Sequence, residues 1–127
     1  MNNNNHNNKK TETEDFELEF RWGQLLNRIQ KALDARPKDV NGVLLLIGVQ
    51  ELGQGFRNFS KEEKQDLMHI AVCRVLSKTG FYTLDGLDKD GWPHWKLAKE
   101  LPHFDLLEQE KLLKINIMEY FEDEQIF

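Results

Sequence analysis

Residues 40–53 read VNGVLLLIGVQELG and decide the fold, because no other stretch of the chain is as apolar. At about 100° per residue, apolar side chains fall on every side of an α-helix formed by this stretch. A helix that is apolar all round lies inside a core, and this run is too short to span a bilayer. We therefore predict a buried helix, with Asp39 capping its N-terminus and Gly53 ending it in the left-handed conformation.

A buried strand over residues 43–49 is the alternative. Gly42 and Gly48 favour this alternative, because a glycine destabilises a helix by about 1 kcal/mol relative to alanine. The content of Leu rather than Val, and the lack of a neighbouring partner strand, favour the helix. We retain the helix and expect the rest of the chain to form amphipathic elements that cover it.

A further helix is predicted over residues 15–35, with Thr13 as its N-cap. Residues 16–22 also alternate with the two-residue period of a strand, but the longer pattern is helical. If the whole segment is helical, Phe16 and Phe20 lie on the face opposite the apolar stripe. The residue before a proline avoids the α region, so the Arg-Pro pair at residues 36–37 ends the helix. The stripe consists of Leu18, Trp22, Leu25, Leu26, Ile29 and Leu33.

Capping signals predict two more helices. Ser60 and Glu63 have the spacing of a capping box, which starts a helix over residues 60–79. Asp105 occupies the equivalent position before a helix over residues 105–122. Both segments carry apolar residues at helical spacing, so each has a face that can pack on the central helix.

Residues 81–97 differ from the rest, because turn-forming residues interrupt their aromatic and apolar side chains. Residues 88–91 read DKDG, a turn sequence that favours a short hairpin or an ordered loop. Pro93 can instead begin a short helix that Pro102 ends. The sequence leaves these alternatives open.

The predicted fold class is all-α, with four principal helices around a central apolar helix. An irregular aromatic loop or small hairpin separates the third helix from the fourth. Residues 14–127 are expected to form a single helical domain, since a chain of 127 residues suits one domain. Residues 1–13 are expected to be disordered, because they are rich in asparagine and offer almost nothing to bury.

Charge and cysteine content bound the location and the partners. Cys73 is the only cysteine, and no signal-peptide pattern is visible, so a reducing cytoplasm is expected. The net charge of −5 argues against general nucleic-acid binding, and we expect no membrane partner. A basic face on the first helix makes nucleic-acid binding a second alternative function. Its residues are Arg21, Arg28, Lys31, Arg36 and Lys38.

His69 and Cys73 are the strongest candidates for chemistry. Four residues apart on one helix, they share a face on which an imidazole and a thiol can bind a metal ion or activate a nucleophile. A closed zinc site needs four ligands, and this helix adds only Asp66. We therefore expect no metal and no cofactor. A small enzyme or metal-binding protein centred on His69 and Cys73 is the first alternative function.

The densest aromatic cluster lies within residues 81–97 and gives the leading hypothesis. Trp and Tyr are enriched in interface hot spots, although such residues also cover cores. We expect a small cytoplasmic interaction module, adaptor or regulatory, that has no catalytic activity and binds another protein. We also expect Trp95 to pack inward and Trp92 to be more exposed. The predicted binding residues are Tyr82, Trp92, Pro93, His94 and Trp95.

Overall fold

The computed structural model describes residues 2–126, with side chains described from residue 12 onwards. The side chains of residues 1–11 lie outside the described part, so the disorder predicted for residues 1–13 stays a prediction. The described part contains four helices and one antiparallel pair of strands. The all-α class was too narrow, because a small sheet accompanies the helices. In chain order the elements are α1 (Asn2–Leu33), α2 (Val40–Leu52), α3 (Lys61–Ser77), β1 (Tyr82–Leu87), β2 (Pro93–Leu97) and α4 (Leu106–Glu124).

The chain divides into two compact units. Residues 1–36 with residues 126–127 form the first, and residues 37–125 form the second. The first unit consists mainly of α1, and the second contains all the other elements. Within the described residues, no helix combines the length and the apolar character needed to cross a bilayer.

α1 is helical throughout the segment that also has strand period, so the helix prediction is confirmed there. The predicted start was wrong, because Thr13 lies inside the helix rather than at its N-cap. Phe16 and Phe20 are exposed. After the helix, Asp34 adopts a φ of 55°, and the chain turns towards Pro37. From residue 12 onwards, the buried side chains of α1 all belong to the predicted stripe: Trp22, Leu25 and Ile29.

α2 is the predicted apolar helix, and both of its caps are confirmed. The Asp39 side chain accepts the backbone N–H of Gly42 at 3.0 Å. Gly53 ends the helix with a φ of 71°, the left-handed conformation that glycine adopts without strain. Within the second unit, α2 packs mainly against α3 and also against α4. Its buried residues are Val40, Val43, Leu44, Ile47, Gly48, Val49 and Leu52.

The caps of α3 and α4 are also as predicted. The backbone N–H of Glu63 donates to Ser60 Oγ at 3.1 Å, and the N–H of Ser60 donates to Glu63 Oε1 at 2.9 Å. Asp105 Oδ1 accepts the N–H of Glu108 at 2.8 Å. These bonds satisfy amide groups that a helix N-terminus otherwise leaves unpaired. Because the capping residues lie within one turn of the helix start, the nearby sequence was enough to predict where α3 and α4 begin.

β1 and β2 form a hairpin, so the alternative of a short helix starting at Pro93 was wrong. Leu84 lies opposite Trp95, and Leu87 lies opposite Pro93. The register shifts between Leu84 and Gly86, which marks a bulge in β1. Pro93 occupies the first position of its strand, where a missing N–H is tolerated. Within the second unit, both strands pack against α3.

Candidate functional site

Asp88 organises the turn of the hairpin. Its Oδ1 accepts the backbone N–H groups of Asp90 at 2.9 Å and of Trp92 at 3.0 Å. Its backbone carbonyl accepts the N–H of Gly91 at 3.0 Å. Gly91 has a φ of 85°, which glycine reaches without a Cβ clash. The DKDG turn therefore depends on one carboxylate and one glycine.

The same carboxylate holds His94. His94 Nε2 lies 3.0 Å from Asp88 Oδ2. The hydrogen bond from His94, with further ones from backbone N–H groups, holds the pKa of Asp88 below its ordinary value. An ionised carboxylate only accepts hydrogen bonds, so the hydrogen lies on Nε2. The Nδ1 atom of a neutral His94 then keeps its lone pair, and the orientation of the ring is fixed by the turn.

A cleft of ≈ 280 Å³ lies between α3 and the hairpin. One wall is formed by Asp66, His69 and Ile70, which share a face of α3 because they are three and four residues apart. This volume is just below the range of about 300–1,000 Å³ typical of small-molecule sites, so it suits a side chain or a short segment. The other wall is formed by Asp88, Trp92, Pro93, His94 and Trp95.

Trp92 and Trp95 are both half-buried and both line the cleft. Trp92 also packs against a buried cluster of Val49, Leu52 and Leu67. It is therefore anchored to the core, and its truncation will affect stability as well as the cleft. The indole N–H of Trp95 is shielded from solvent and has no hydrogen-bond acceptor within the described residues. An unpaired buried donor costs about 1–3 kcal/mol, which the packing of this indole must offset.

His69 and Cys73 are in contact, with 3.5 Å between Nε2 and Sγ. Cys73 is fully buried, and that burial raises the pKa of its thiol to about 11. A thiol with such a pKa stays protonated at neutral pH, whereas nucleophiles and metal ligands are thiolates. Across residues 12–126, no three His, Cys, Asp or Glu side chains are grouped so that they could hold a metal ion.

Four of the five predicted binding residues line the cleft, and the fifth does not. Tyr82 instead packs edge-on against the His69 ring, with 6.5 Å between ring centroids. The sequence prediction of binding residues missed four members of this site: Asp66, His69, Ile70 and Asp88. From the sequence, Asp66 and His69 are connected only as possible metal ligands. Their shared helix face was visible in the sequence, but the hairpin that lies over that face was not.

Arg36, one of the basic residues considered for nucleic-acid binding, is engaged within its own unit. Its Nη1 atom donates to the side chain of Asn27 and lies 3.5 Å from Oε1 of Gln30. These contacts use part of the Arg36 guanidinium, just beyond the end of α1. Nucleic-acid binding by the basic face of this helix stays a prediction.

The comparisons with known proteins do not connect this geometry with a known activity. No protein-family model matches the chain, and no curated protein or solved structure is significantly similar to it. The function is therefore inferred from the cleft alone.

Proposed function

We propose that this chain is a small non-catalytic interaction module, adaptor or regulatory, whose cleft between α3 and the hairpin binds a segment of another protein. The observation that carries the proposal is the pairing of Trp92 and Trp95 in one cleft of ≈ 280 Å³. Tryptophan is the residue most enriched in interface hot spots, where it lies in pockets near the centre of the contact.

The hydrogen bonds that hold the hairpin wall of the cleft in place favour a binding role over a catalytic one. Hydrogen bonds to Asp88 fix the hairpin turn, and Gln54 Nε2 donates to the backbone carbonyl of Asp90 at 3.0 Å. The turn is thus tied to the loop that connects α2 and α3. A wall held in place before binding lowers the entropy lost on association, which raises affinity.

The alternative of an enzyme or metal protein centred on His69 and Cys73 has weaker support. The Cys73 thiol is buried and its pKa is raised, so it lacks the thiolate that either role requires. His69 is exposed at the cleft, where it can contact a bound segment instead. We place the module in the cytoplasm, because a free thiol is typical of a reducing compartment.

The test is a quantitative pull-down from a lysate of the source organism, with three variants beside the wild-type bait. Trp92→Ala removes an aromatic wall, and Asp66→Lys puts a long side chain on an exposed wall position without touching the core. Phe56→Ala is the matched control, because Phe56 is an aromatic residue that is 73% exposed outside the cleft. Circular dichroism checks that each bait is folded.

We expect a partner that wild type and Phe56→Ala retain equally and that both cleft variants lose. A hot-spot tryptophan contributes about 2 kcal/mol or more, so retention by Trp92→Ala should fall by about thirtyfold. A partner that folded Asp66→Lys retains like wild type would show that binding occurs elsewhere. Failure of the wild type to retain any partner would also overturn the proposal.

A further inference from the structure

We propose that the segment bound in this cleft presents an arginine, whose guanidinium stacks on an indole and pairs with Asp66. The inference rests on the proposed function and specifies the chemistry of the partner. It is carried by the combination of aromatic faces with an acidic wall in one cleft.

The aromatic part of the cleft suits a planar cation. Trp92 and Trp95 both line it, and indole is the side chain that attracts cations most strongly through its ring face. A guanidinium stacks on such a face and keeps its N–H groups free at the edge. The chain already contains this type of contact, since Arg57 Cζ lies 4.3 Å from the centre of the Phe59 ring.

The charges in the cleft complement an arginine. None of the eight lining residues is Lys or Arg, whereas two are aspartates. Asp88 is occupied by His94 and by two backbone N–H groups, so it is already committed to the turn. Asp66 is exposed on the opposite wall, and within the described residues its carboxylate makes no hydrogen bond or ion pair.

Asp66 is therefore the carboxylate available to a ligand. Carboxylate and guanidinium can form two parallel N–H···O bonds, a geometry that an ammonium cannot match. The net charge of −5 adds a general attraction for a basic segment and raises its rate of association. Arginine rather than lysine is thus favoured by both the stacking and the pairing.

The experiment is a selection from a displayed library of random twelve-residue peptides against the wild-type chain, with counter-selection on Trp92→Ala. Peptides that survive are synthesised, and their dissociation constants are measured with arginine, with lysine and with citrulline at the critical position. Citrulline keeps the shape of arginine but lacks its charge. Asp66→Asn tests the pairing, and Asp85→Asn is the control with the same loss of charge on the hairpin outside the cleft.

We expect the surviving peptides to share one arginine, and citrulline to weaken binding by about tenfold. Asp66→Asn should weaken the arginine peptide by a similar factor while leaving the citrulline peptide unchanged, and Asp85→Asn should change neither. Survivors without arginine, or equal binding of the citrulline peptide, would overturn the inference and leave the proposed function intact. If no peptide distinguishes wild type from folded Trp92→Ala, the proposed function fails as well.

Discussion

Gly48 of α2 lies so close to Leu67 of α3 that a Cβ on Gly48 would be 2.2 Å from the Leu67 carbonyl oxygen. Both residues are buried. The carbonyl belongs to the backbone of a helix and cannot rotate away, as the end of a flexible side chain would. The two helices therefore approach each other through a position that only glycine can occupy.

Gly48→Ala should destabilise the chain by at least about 2 kcal/mol, since overpacking forces the helices apart. Gly23→Ala is the matched control, because a Cβ at Gly23 of α1 meets no atom within 4 Å. Alanine is favoured over glycine inside a helix, so that variant should gain up to about 1 kcal/mol. Urea denaturation of both variants measures the difference, and equal stabilities would contradict the close approach.

Gly48 also shows where sequence reasoning reached its limit. From the sequence alone, Gly48 only argues against a helix, because glycine has a low helix propensity. The reason for glycine at this position is the backbone of Leu67, which lies on another helix. Asp39, Gly53 and Ser60 were interpreted correctly, since each cap bonds to residues within one or two turns. Local signals therefore predicted most helix boundaries, whereas the reason for a buried glycine was tertiary.

The residues of the candidate site were also predictable where the signal was local, and not where it depended on tertiary packing. Trp92 and Pro93 could be selected by composition, and the turn at residues 88–91 was visible as a turn. Asp66 could not be joined to them, because that requires knowing which face of α3 the hairpin covers. The bulge between Leu84 and Gly86 changes the pairing along the hairpin and was not predicted, although a glycine within a strand is a usual signal of a bulge.

Tyr120 of α4 and Glu51 of α2 form a second long-range link. The Tyr120 hydroxyl donates to Glu51 Oε2 at 2.7 Å, and Arg74 of α3 pairs with Glu51 Oε1 at 3.1 Å. Burial first, and then the Glu51 carboxylate, raise the pKa of Tyr120, so its hydroxyl stays protonated as a donor. One carboxylate thus connects three helices of the second unit.

Tyr120→Phe should cost about 1–2 kcal/mol, because it removes a donor to a charged and partly buried acceptor. Tyr82→Phe is the control, since Tyr82 makes a ring contact but its hydroxyl has no hydrogen bond in the described structure. That control should change stability by less than about 0.5 kcal/mol. Thermal unfolding of the two variants and of wild type measures these differences. A Tyr120→Phe protein as stable as wild type would show that the hydrogen bond to Glu51 does not stabilise the fold.

Cys73 should be chemically inert in the folded chain. Its side chain is fully buried, and burial raises the pKa of its thiol to about 11, so a reagent meets neither an accessible sulfur nor a thiolate. We expect a thiol reagent at pH 8 to label the native chain at least about a hundred times more slowly than the urea-unfolded chain, because labelling requires opening of the core. Rapid labelling of the native chain would instead favour a reactive cysteine and revive the enzyme hypothesis.

The pairing of Asp88 with His94 gives the hairpin a defined response to acid. The pKa of Asp88 in the folded chain lies below its ordinary value of 3.8, with the His94 hydrogen bond as the main cause. A carboxyl with a lowered pKa stabilises the folded state above its unfolded pKa, and this contribution is lost as the pH falls through the folded pKa. Asp88→Asn lacks the charge and one acceptor, so wild type should exceed it in stability at pH 6. That gap should close as the pH falls below about 3.8. Urea unfolding at a series of pH values between 6 and 2 follows the gap directly.

Asp85→Asn is the control on the same hairpin, because its ion pair with Lys96 is long, at 3.9 Å, and exposed. Such pairs contribute little, so that variant should follow wild type closely. A gap between wild type and Asp88→Asn that stays constant down to pH 2 would mean that the substitution acts through the shape of the turn and not through the ionised carboxylate.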